Sequence, residues 1–205
     1  MARRLCSLGI LALFLLAGAG LVSAAWEPAA ALDPAAPTPI PSTTRIDFVP
    51  QHQEIGLGDV VTVALNIVDA EDLYAVDIEV HFDPQVLQVV DAQSAADGVQ
   101  ILPGDFPAPP LPISPNTVNN QTGVIEYATM ILGGQQGVYG AGTLATITFE
   151  GVGAGTGELS FERVWMYSPS MGQLAPIIGG DGDIVVWLEP PDNAIFLPLA
   201  TRNRR

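Results

Sequence analysis

Alternation of apolar and polar residues limits this chain to a β-structure more than any other feature does. Between Tyr74 and Phe82, every second residue from Val76 onward is apolar and the residues between them are polar. The polar positions are Asp77, Glu79 and His81. A period of two places successive side chains on opposite faces of a strand. This segment is therefore predicted to be a strand with one face in a core and one face in solvent.

Other segments repeat this character along the chain. They are rich in β-branched and apolar residues and span 60–68, 86–90, 124–132, 143–149, 158–164 and 183–187. Gly- and Pro-containing turn signals separate them. No stretch of ten or more residues has a helical period. The pattern predicts a single all-β domain, either a β-sandwich or a jelly roll.

Composition and charge exclude several functional classes. The chain has 21 Gly and 18 Pro, and charged residues make up only 14% of it, which is atypical of a helical bundle. There are 22 acidic residues against seven Arg, giving a net charge of −15. Nucleic-acid binding needs a basic surface, and an anionic membrane surface would repel this chain. Neither is expected to be a partner.

The first 25 residues are predicted to be a signal peptide. Arg3 and Arg4 precede an apolar run from Leu8 to Ala19, and small residues at Val22 and Ala24 suit cleavage after Ala24 or Ala25. An uncleaved N-terminal anchor is the alternative. Cleavage would remove Cys6, the single Cys, and leave no membrane span. The expected location is extracellular, in a bacterial secreted protein.

The rest of the chain divides by composition. Residues 26–44 are rich in Ala and Pro and are predicted to be an extended linker. Residues 45–188 form the predicted sandwich domain, and residues 189–205 a flexible tail. Within the domain, the run from Pro103 to Pro115 contains six prolines. It is predicted to be a long loop crossing the sandwich edge, because proline is excluded from central strands.

The chain resembles the cohesin domain over about residues 45–187. Five motifs carry the resemblance, and each stands at a fitting place in the order of the family. They are Gly58-Asp59-Val60-Val61-Thr62-Val63, Asp77-Ile78-Glu79-Val80-His81-Phe82-Asp83-Pro84-Gln85-Val86-Leu87, Thr122-Gly123-Val124-Ile125, Gly142-Thr143-Leu144-Ala145-Thr146-Ile147-Thr148-Phe149 and Gly180-Asp181-Gly182-Asp183-Ile184-Val185-Val186.

The resemblance implies a jelly-roll sandwich of about nine strands with no catalytic site. It also implies docking of a calcium-loaded dockerin helix pair on one sheet face, in a polysaccharide-degrading or cell-surface setting. A non-cellulosomal bacterial member is expected. Calcium is expected on the partner, so no cofactor is predicted for this chain.

The resemblance also carries over individual binding positions. Asp77 matches the binding Asp of the family, and Ala75 stands where some members have a polar contact residue. Arg163, with Glu162 beside it, stands where some members have a Glu. These departures leave the identity of the partner open.

Asp77, Glu79 and His81 form the candidate partner-binding stripe, since all three project from one strand face. An ordinary solvated strand face is the alternative. Trp165 and Tyr167 are candidates for direct carbohydrate binding, with packing under a loop as the alternative. Phe161, Arg163 and Trp165 would share a face in a regular strand. A bulge or strand end near Arg163 is therefore expected.

Catalytic and metal-binding signatures are missing from the sequence. There is no G-x-S-x-G motif, and an enzyme is not expected. The two acidic turns, Asp69 to Asp72 and Asp181 to Asp183, lack the spacing of a calcium loop. They are expected to be solvated acids, and no metal site is predicted.

Far-ultraviolet circular dichroism of the purified chain tests the predicted fold class. We expect a β-type spectrum, because the strands have no helical period. A helical content above about a quarter would contradict the prediction, since ordinary domains average about a third.

Overall fold

The computed structural model describes residues 38–107, 112–132 and 136–188, and the regular elements in these ranges are all strands. They are β1 (Ile40–Val49), β2 (His52–Gly56), β3 (Val60–Leu73), β4 (Ala75–Phe82), β5 (Leu87–Val89), β6 (Leu102–Pro103), β7 (Ile113–Asn119), β8 (Val124–Met130), β9 (Val138–Gly151), β10 (Gly155–Ser168), β11 (Gly172–Ile178) and β12 (Gly182–Trp187). The predicted signal peptide, most of the predicted linker and the predicted tail lie outside the described residues.

The strands form a jelly-roll sandwich, as predicted. Neighbouring strands pair in the order β5-β9-β3-β1-β11-β10-β4-β8-β7, while β12 pairs with β10 and β2, and β6 pairs with β9. Two of the pairings are parallel, β1 with β11 and β12 with β2. One layer contains β5, β9, β3 and β1, and the other contains β10, β4, β8 and β7.

Side chains from the two layers meet in one apolar core. Phe82 of β4 packs edge-on against Phe149 of β9, with ring centroids 5.5 Å apart. Tyr127 of β8 donates a hydrogen bond of 3.3 Å to the Leu144 carbonyl of β9. Burial raises the pKa of Tyr127 to about 12, so this phenol remains a neutral donor. These contacts fix β4 and β8 with their polar positions turned outward.

The structure contains more strands than the sequence predicted. All seven predicted strands are present, although several are longer than expected, and β1, β2, β6, β7 and β11 are additional. β1 begins at Ile40, so the last five residues of the predicted linker belong to the sheet. Thr44 is fully buried there, and its hydroxyl donates to the Asp69 carbonyl at 3.3 Å.

The proline-rich run is only partly a loop. Pro103 ends β6, and Pro115 lies within β7 beside a register shift. β7 stands at the end of the strand order, so Pro115 occupies an edge strand, where a missing N–H removes no ladder bond. In the described parts of the run, residues 103–107 and 112–115, no central strand is present, as the sequence predicted.

Asp72 differs from the solvated turn acid that the sequence suggested. It is buried, with 6% of its surface exposed. Its carboxylate accepts hydrogen bonds from the Ser168 hydroxyl at 2.6 Å, from the Gly137 amide at 3.0 Å, and from the hydroxyl and amide of Ser170. The Ser168 and Ser170 hydroxyls hold the pKa of Asp72 below its ordinary value of 3.8. The charged form therefore ties the end of β3 to β9 and β10.

Replacing Asp72 with Ala should lower the free energy of unfolding at neutral pH by about 2–3 kcal/mol, because buried donors lose a charged acceptor. Because the pKa of Asp72 is lowered, this stabilisation is present at pH values above the ordinary pKa of 3.8. It should be lost progressively as the pH falls below about 4. Urea unfolding from neutral to acidic pH should show the difference in stability between the two proteins narrowing in acid.

Exposed Asp97 provides the control, and Asp97→Ala should unfold like the wild type at every pH. An Asp72→Ala deficit that stays constant into acid would contradict the role given to the carboxylate.

Candidate functional site

The outward side of β4 carries the predicted polar stripe. Val76, Ile78, Val80 and Phe82 lie in the core, whereas Asp77, Glu79 and His81 are half-buried on the outer side. Ala75, also a predicted contact position, is 6% exposed. The structure thus places these candidate side chains in one line along a single strand.

A bulge in β10 determines which side chains lie beside the polar stripe of β4. Phe161 pairs with Val80 and Arg163 pairs with Glu79, so Glu162 is the extra residue and is exposed. Phe161 points inward and stacks on Phe48, with ring centroids 4.2 Å apart. Arg163 is thereby turned outward beside Glu79. The bulge expected near Arg163 is confirmed.

Arg163 joins two carboxylates of β4. Its Nη1 lies 2.6 Å from Glu79 Oε2, and its Nη2 lies 3.0 Å from Asp77 Oδ1. His81 Nε2 forms a further hydrogen bond of 2.8 Å with Glu79 Oε1. The contact with His81, followed by the charge of Arg163, lowers the pKa of Glu79. The Asp77 carboxylate raises the pKa of Arg163. Both shifts favour the charged forms of Glu79 and Arg163 at neutral pH.

We call this surface the β4 face. It comprises the side chains on this side of three neighbouring strands: Arg163, Trp165 and Tyr167 of β10, Ala75, Asp77, Glu79 and His81 of β4, and Glu126, Ala128 and Met130 of β8. Residues that pair across the three strands form rows over this face, and the rows differ in chemistry. Arg163, Glu79 and Glu126 form a charged row, whereas Tyr167, Ala75 and Met130 form an apolar row.

A groove of about 220 Å³ lies at the apolar end of the β4 face. It is lined mainly by Ala75, Asp77, Ala128, Met130, Trp165 and Pro112. Met130 is 44% exposed, so its side chain is accessible at the groove. The β4 face therefore offers an apolar recess beside fixed charges, which suits a protein ligand.

Trp165 and Tyr167 line up beside this groove. Their rings are stacked, with centroids 5.8 Å apart and planes 11° apart. Tyr74 packs edge-on against Tyr167 at 6.3 Å. Both side chains are half-buried. Because each ring covers part of the other, the pair does not form a flat, two-ring platform.

Sequence comparison identifies the family. The sequence model described as the cohesin domain matches residues 49–185. This chain belongs to the cohesin family. No curated protein gives a significant sequence match.

Solved structures share the fold. A non-cellulosomal cohesin from the archaeon Archaeoglobus fulgidus has a TM-score of 0.55 at 16% identity, covering 71% of this chain and 92% of that one. A type II cohesin domain from the cellulosome of Acetivibrio cellulolyticus has a TM-score of 0.58 at 16% identity, covering 69% and 95%. A type I cohesin–dockerin complex from Clostridium thermocellum has a TM-score of 0.55 at 16% identity, covering 71% of this chain and 100% of that one. At these sequence identities the structural similarity establishes the fold alone.

Sequence reasoning missed two residues of the β4 face in this cohesin domain. Glu126 and Met130 both project from β8 toward the same side as Asp77. The alternation of Val124, Glu126, Ala128 and Met130 was visible in the sequence. Their position beside β4 depends on the pairing of β8 with β4, which the alternation alone does not specify.

Asp183, which belongs to the second acidic turn that the sequence analysis considered, lies on β12 and not on the β4 face. Asp183 forms a 2.8 Å hydrogen bond with His52 across the parallel β12–β2 pair, and this contact raises the pKa of His52. Across the described ranges, no group of three or more His, Cys, Asp or Glu side chains is arranged to hold a metal ion. The same ranges contain no helix long and apolar enough to cross a membrane.

Deleting Glu162 tests the bulge. The deletion leaves Phe161 and Arg163 adjacent, so Phe161 stays inward and Arg163 stays outward in a regular ladder. We expect cooperative thermal unfolding with a small change in Tm.

Deleting Val164 is the matched control. It would move Met166, which is fully buried, to the outer side and turn Trp165 into the core. We expect a loss of at least about 3 kcal/mol of stability. Equal losses for both deletions would contradict this description of β10.

Proposed function

We propose that this cohesin domain is a secreted, non-catalytic receptor that docks a calcium-loaded, dockerin-type module on the β4 face. The observation that carries the proposal is the fixed charged row beside the apolar groove. Arg163 is held by two carboxylates at 2.6 and 3.0 Å, so its geometry is set before any partner arrives. Preorganised groups lose little conformational freedom on binding.

Relatives support a protein partner. The structures from Clostridium thermocellum and a ScaC cohesin from Acetivibrio cellulolyticus are cohesin–dockerin complexes. The apolar groove resembles the desolvated centre of a protein interface, and the charged row suits its rim. In this proposal calcium is bound by the partner.

The proposal also includes an extracellular location for this receptor. A basic n-region followed by an apolar run and small residues supports secretion. The net charge of −15 suits an extracellular domain that remains dissolved and monomeric. A polysaccharide-degrading or cell-surface assembly is the setting that we propose for the secreted receptor.

Replacing Asp77 with Ala tests the docking surface. Loss of a carboxylate at a desolvated interface typically costs about 2–5 kcal/mol, so affinity for a captured dockerin-type module should fall by tens-fold or more. Isothermal titration calorimetry, with calcium and with a chelator, measures this change. Tm should change little, because the Asp77 side chain is 39% exposed.

Asp97→Ala is the matched control and should leave both affinity and Tm unaltered. Wild-type affinity in Asp77→Ala would place the docking surface elsewhere. Unfolding of Asp77→Ala would make the residue structural. Binding that is insensitive to chelation would contradict a dockerin-type partner.

Direct carbohydrate binding by Trp165 and Tyr167 is the second candidate function. The observation that favours it is the pair of adjacent, half-buried aromatic side chains on an outer sheet face. Sugar rings stack on such surfaces. Mutual stacking of the two rings reduces the flat area that they offer, which makes this the weaker candidate.

Retention on insoluble cellulose, chitin or xylan tests the second candidate. Binding should disappear in the Trp165→Ala, Tyr167→Ala double variant. It should persist in Tyr139→Ala, which removes a 70% exposed aromatic elsewhere. If the wild type is retained on none of the three polymers, direct carbohydrate binding by this pair is ruled out for them.

A further inference from the structure

A second groove lies outside the β4 face, at the end of β12. It has a volume of about 490 Å³ and is lined mainly by Thr156, Val185, Trp187 and Leu188. Trp187 is 41% exposed and Leu188 is 73% exposed, so two large apolar side chains stand in solvent here. We call this site the β12 groove. Adjacent exposed apolar side chains of this size mark an interaction surface.

Carboxylates border the β12 groove on one side. Strand pairing places Glu158 of β10 opposite Asp183 of β12, and Asp183 opposite His52 of β2. Glu54 stands opposite Val185 and lies 3.4 Å from the His52 ring. These side chains share the outer side of the layer with Val185, because the alternate residues of β12 are buried. Three carboxylates and one histidine leave this border with a net negative charge, whether or not the histidine is protonated.

The residues that follow Leu188 have the complementary composition. Residues 189–205 lie outside the described residues. Their first six, 189–194, include two Pro, one Asp and one Asn, which favour a turn. Residues 195–199, Ile-Phe-Leu-Pro-Leu, are all apolar, and three of the seven Arg of the chain lie within 202–205. An apolar run followed by cations therefore comes directly after the groove and its acidic border.

Distances along the chain allow this run to return to the β12 groove. An extended chain spans at most about 3.5 Å per residue, so the first six residues can bridge up to about 20 Å. Leu188 itself lines the groove, so the return needs only a reversal of direction. Trp187 and Asp183 are separated by roughly 13 Å of strand, and Leu199 and Arg202 by roughly 10 Å of extended chain. With the apolar run on Trp187, the Arg side chains reach the acidic border.

We propose that residues 195–199 fold back onto the β12 groove of the same chain, and that Arg202, Arg204 and Arg205 pair with its acidic border. The segment is tethered beside the site, so its effective concentration there is high and weak contacts suffice. A second copy would have to approach against the net charge of −15 that both copies carry. This contact is independent of the docking proposed for the β4 face.

Hydroxyl-radical footprinting of the full-length protein tests the contact at Trp187. Ile195→Asp combined with Leu197→Asp removes the apolar character of the run and changes no residue of the described domain. Oxidation of Trp187 should rise by about threefold or more, since a segment tethered at millimolar effective concentration covers the ring most of the time. Oxidation of Trp165 should stay unchanged. Equal oxidation of Trp187 in the wild type and the double variant would overturn the proposal.

A variant of the groove provides the reciprocal test. Val185→Asp places a charge on the outer side of β12 and should raise the oxidation of Phe196 by a similar factor. Val90→Asp is the matched control, because Val90 is an exposed valine that follows β5 in the other layer. It should leave Phe196 as reactive as in the wild type. An equal rise in the two variants would contradict docking in the β12 groove.

Charge variants test the basic end of the segment. Glu158→Gln weakens the acidic border and should raise the oxidation of Trp187, by a smaller factor than the apolar double variant does. Glu150→Gln changes a carboxylate on β9, in the other layer, and should leave the oxidation of Trp187 unchanged. Equal effects of Glu158→Gln and Glu150→Gln would overturn the pairing with the arginines.

Dilution separates the chain's own segment from a second copy. Protection of Trp187 should persist over a roughly hundredfold dilution, because a tethered contact does not depend on protein concentration. Loss of protection on dilution would assign the β12 groove to a second copy and overturn the proposal. Asp77→Ala, which tests docking on the β4 face, should leave the protection of Trp187 unchanged, so the two proposals can fail separately.

Discussion

The extra residue in β10 controls the chemistry of both sides of this strand. With Glu162 as the bulge, Phe161 stacks on Phe48 in the core and Arg163 stands opposite Glu79 on the surface. A regular strand through this segment would put the aromatic ring and the guanidinium on the same side. The core would then contain a charge, or the surface would lose its cation. Both the packing between layers and the charged row of the β4 face therefore depend on this position.

The β4 face, which we propose as the docking surface, combines charged and apolar side chains on one sheet. The charged row is exposed enough that its ion pairs add little to stability, so in the proposed docking its main effect is on the orientation of a partner and on the choice between partners. The groove lined by Met130 and Trp165 offers apolar area for affinity. Strands of a sandwich hold these groups more firmly than loops would.

The sequence predicted the central strands because burial of one face imposes a period of two. It did not predict β1, β2 or β11, whose sequences contain Pro, Gly or polar residues and which are held by parallel pairing with distant strands. The Asp77 and Glu79 stripe was visible in the alternation, and so was the need for a bulge near Arg163. The burial of Asp72 was not, since its partners Ser168 and Ser170 lie almost a hundred residues away in the chain.

Hydroxyl-radical footprinting of the full-length protein, with and without a calcium-loaded dockerin-type module, tests the central claim most directly. Met130, Trp165 and Tyr167 are reactive side chains on the β4 face, whereas Tyr139 and Trp187 are exposed elsewhere. We expect the module to protect the first three from oxidation, and a chelator to abolish that protection, while Tyr139 and Trp187 react as in the free protein. Protection of Tyr139 or Trp187 with unchanged oxidation of Met130 and Trp165 would contradict the β4 face as the docking surface.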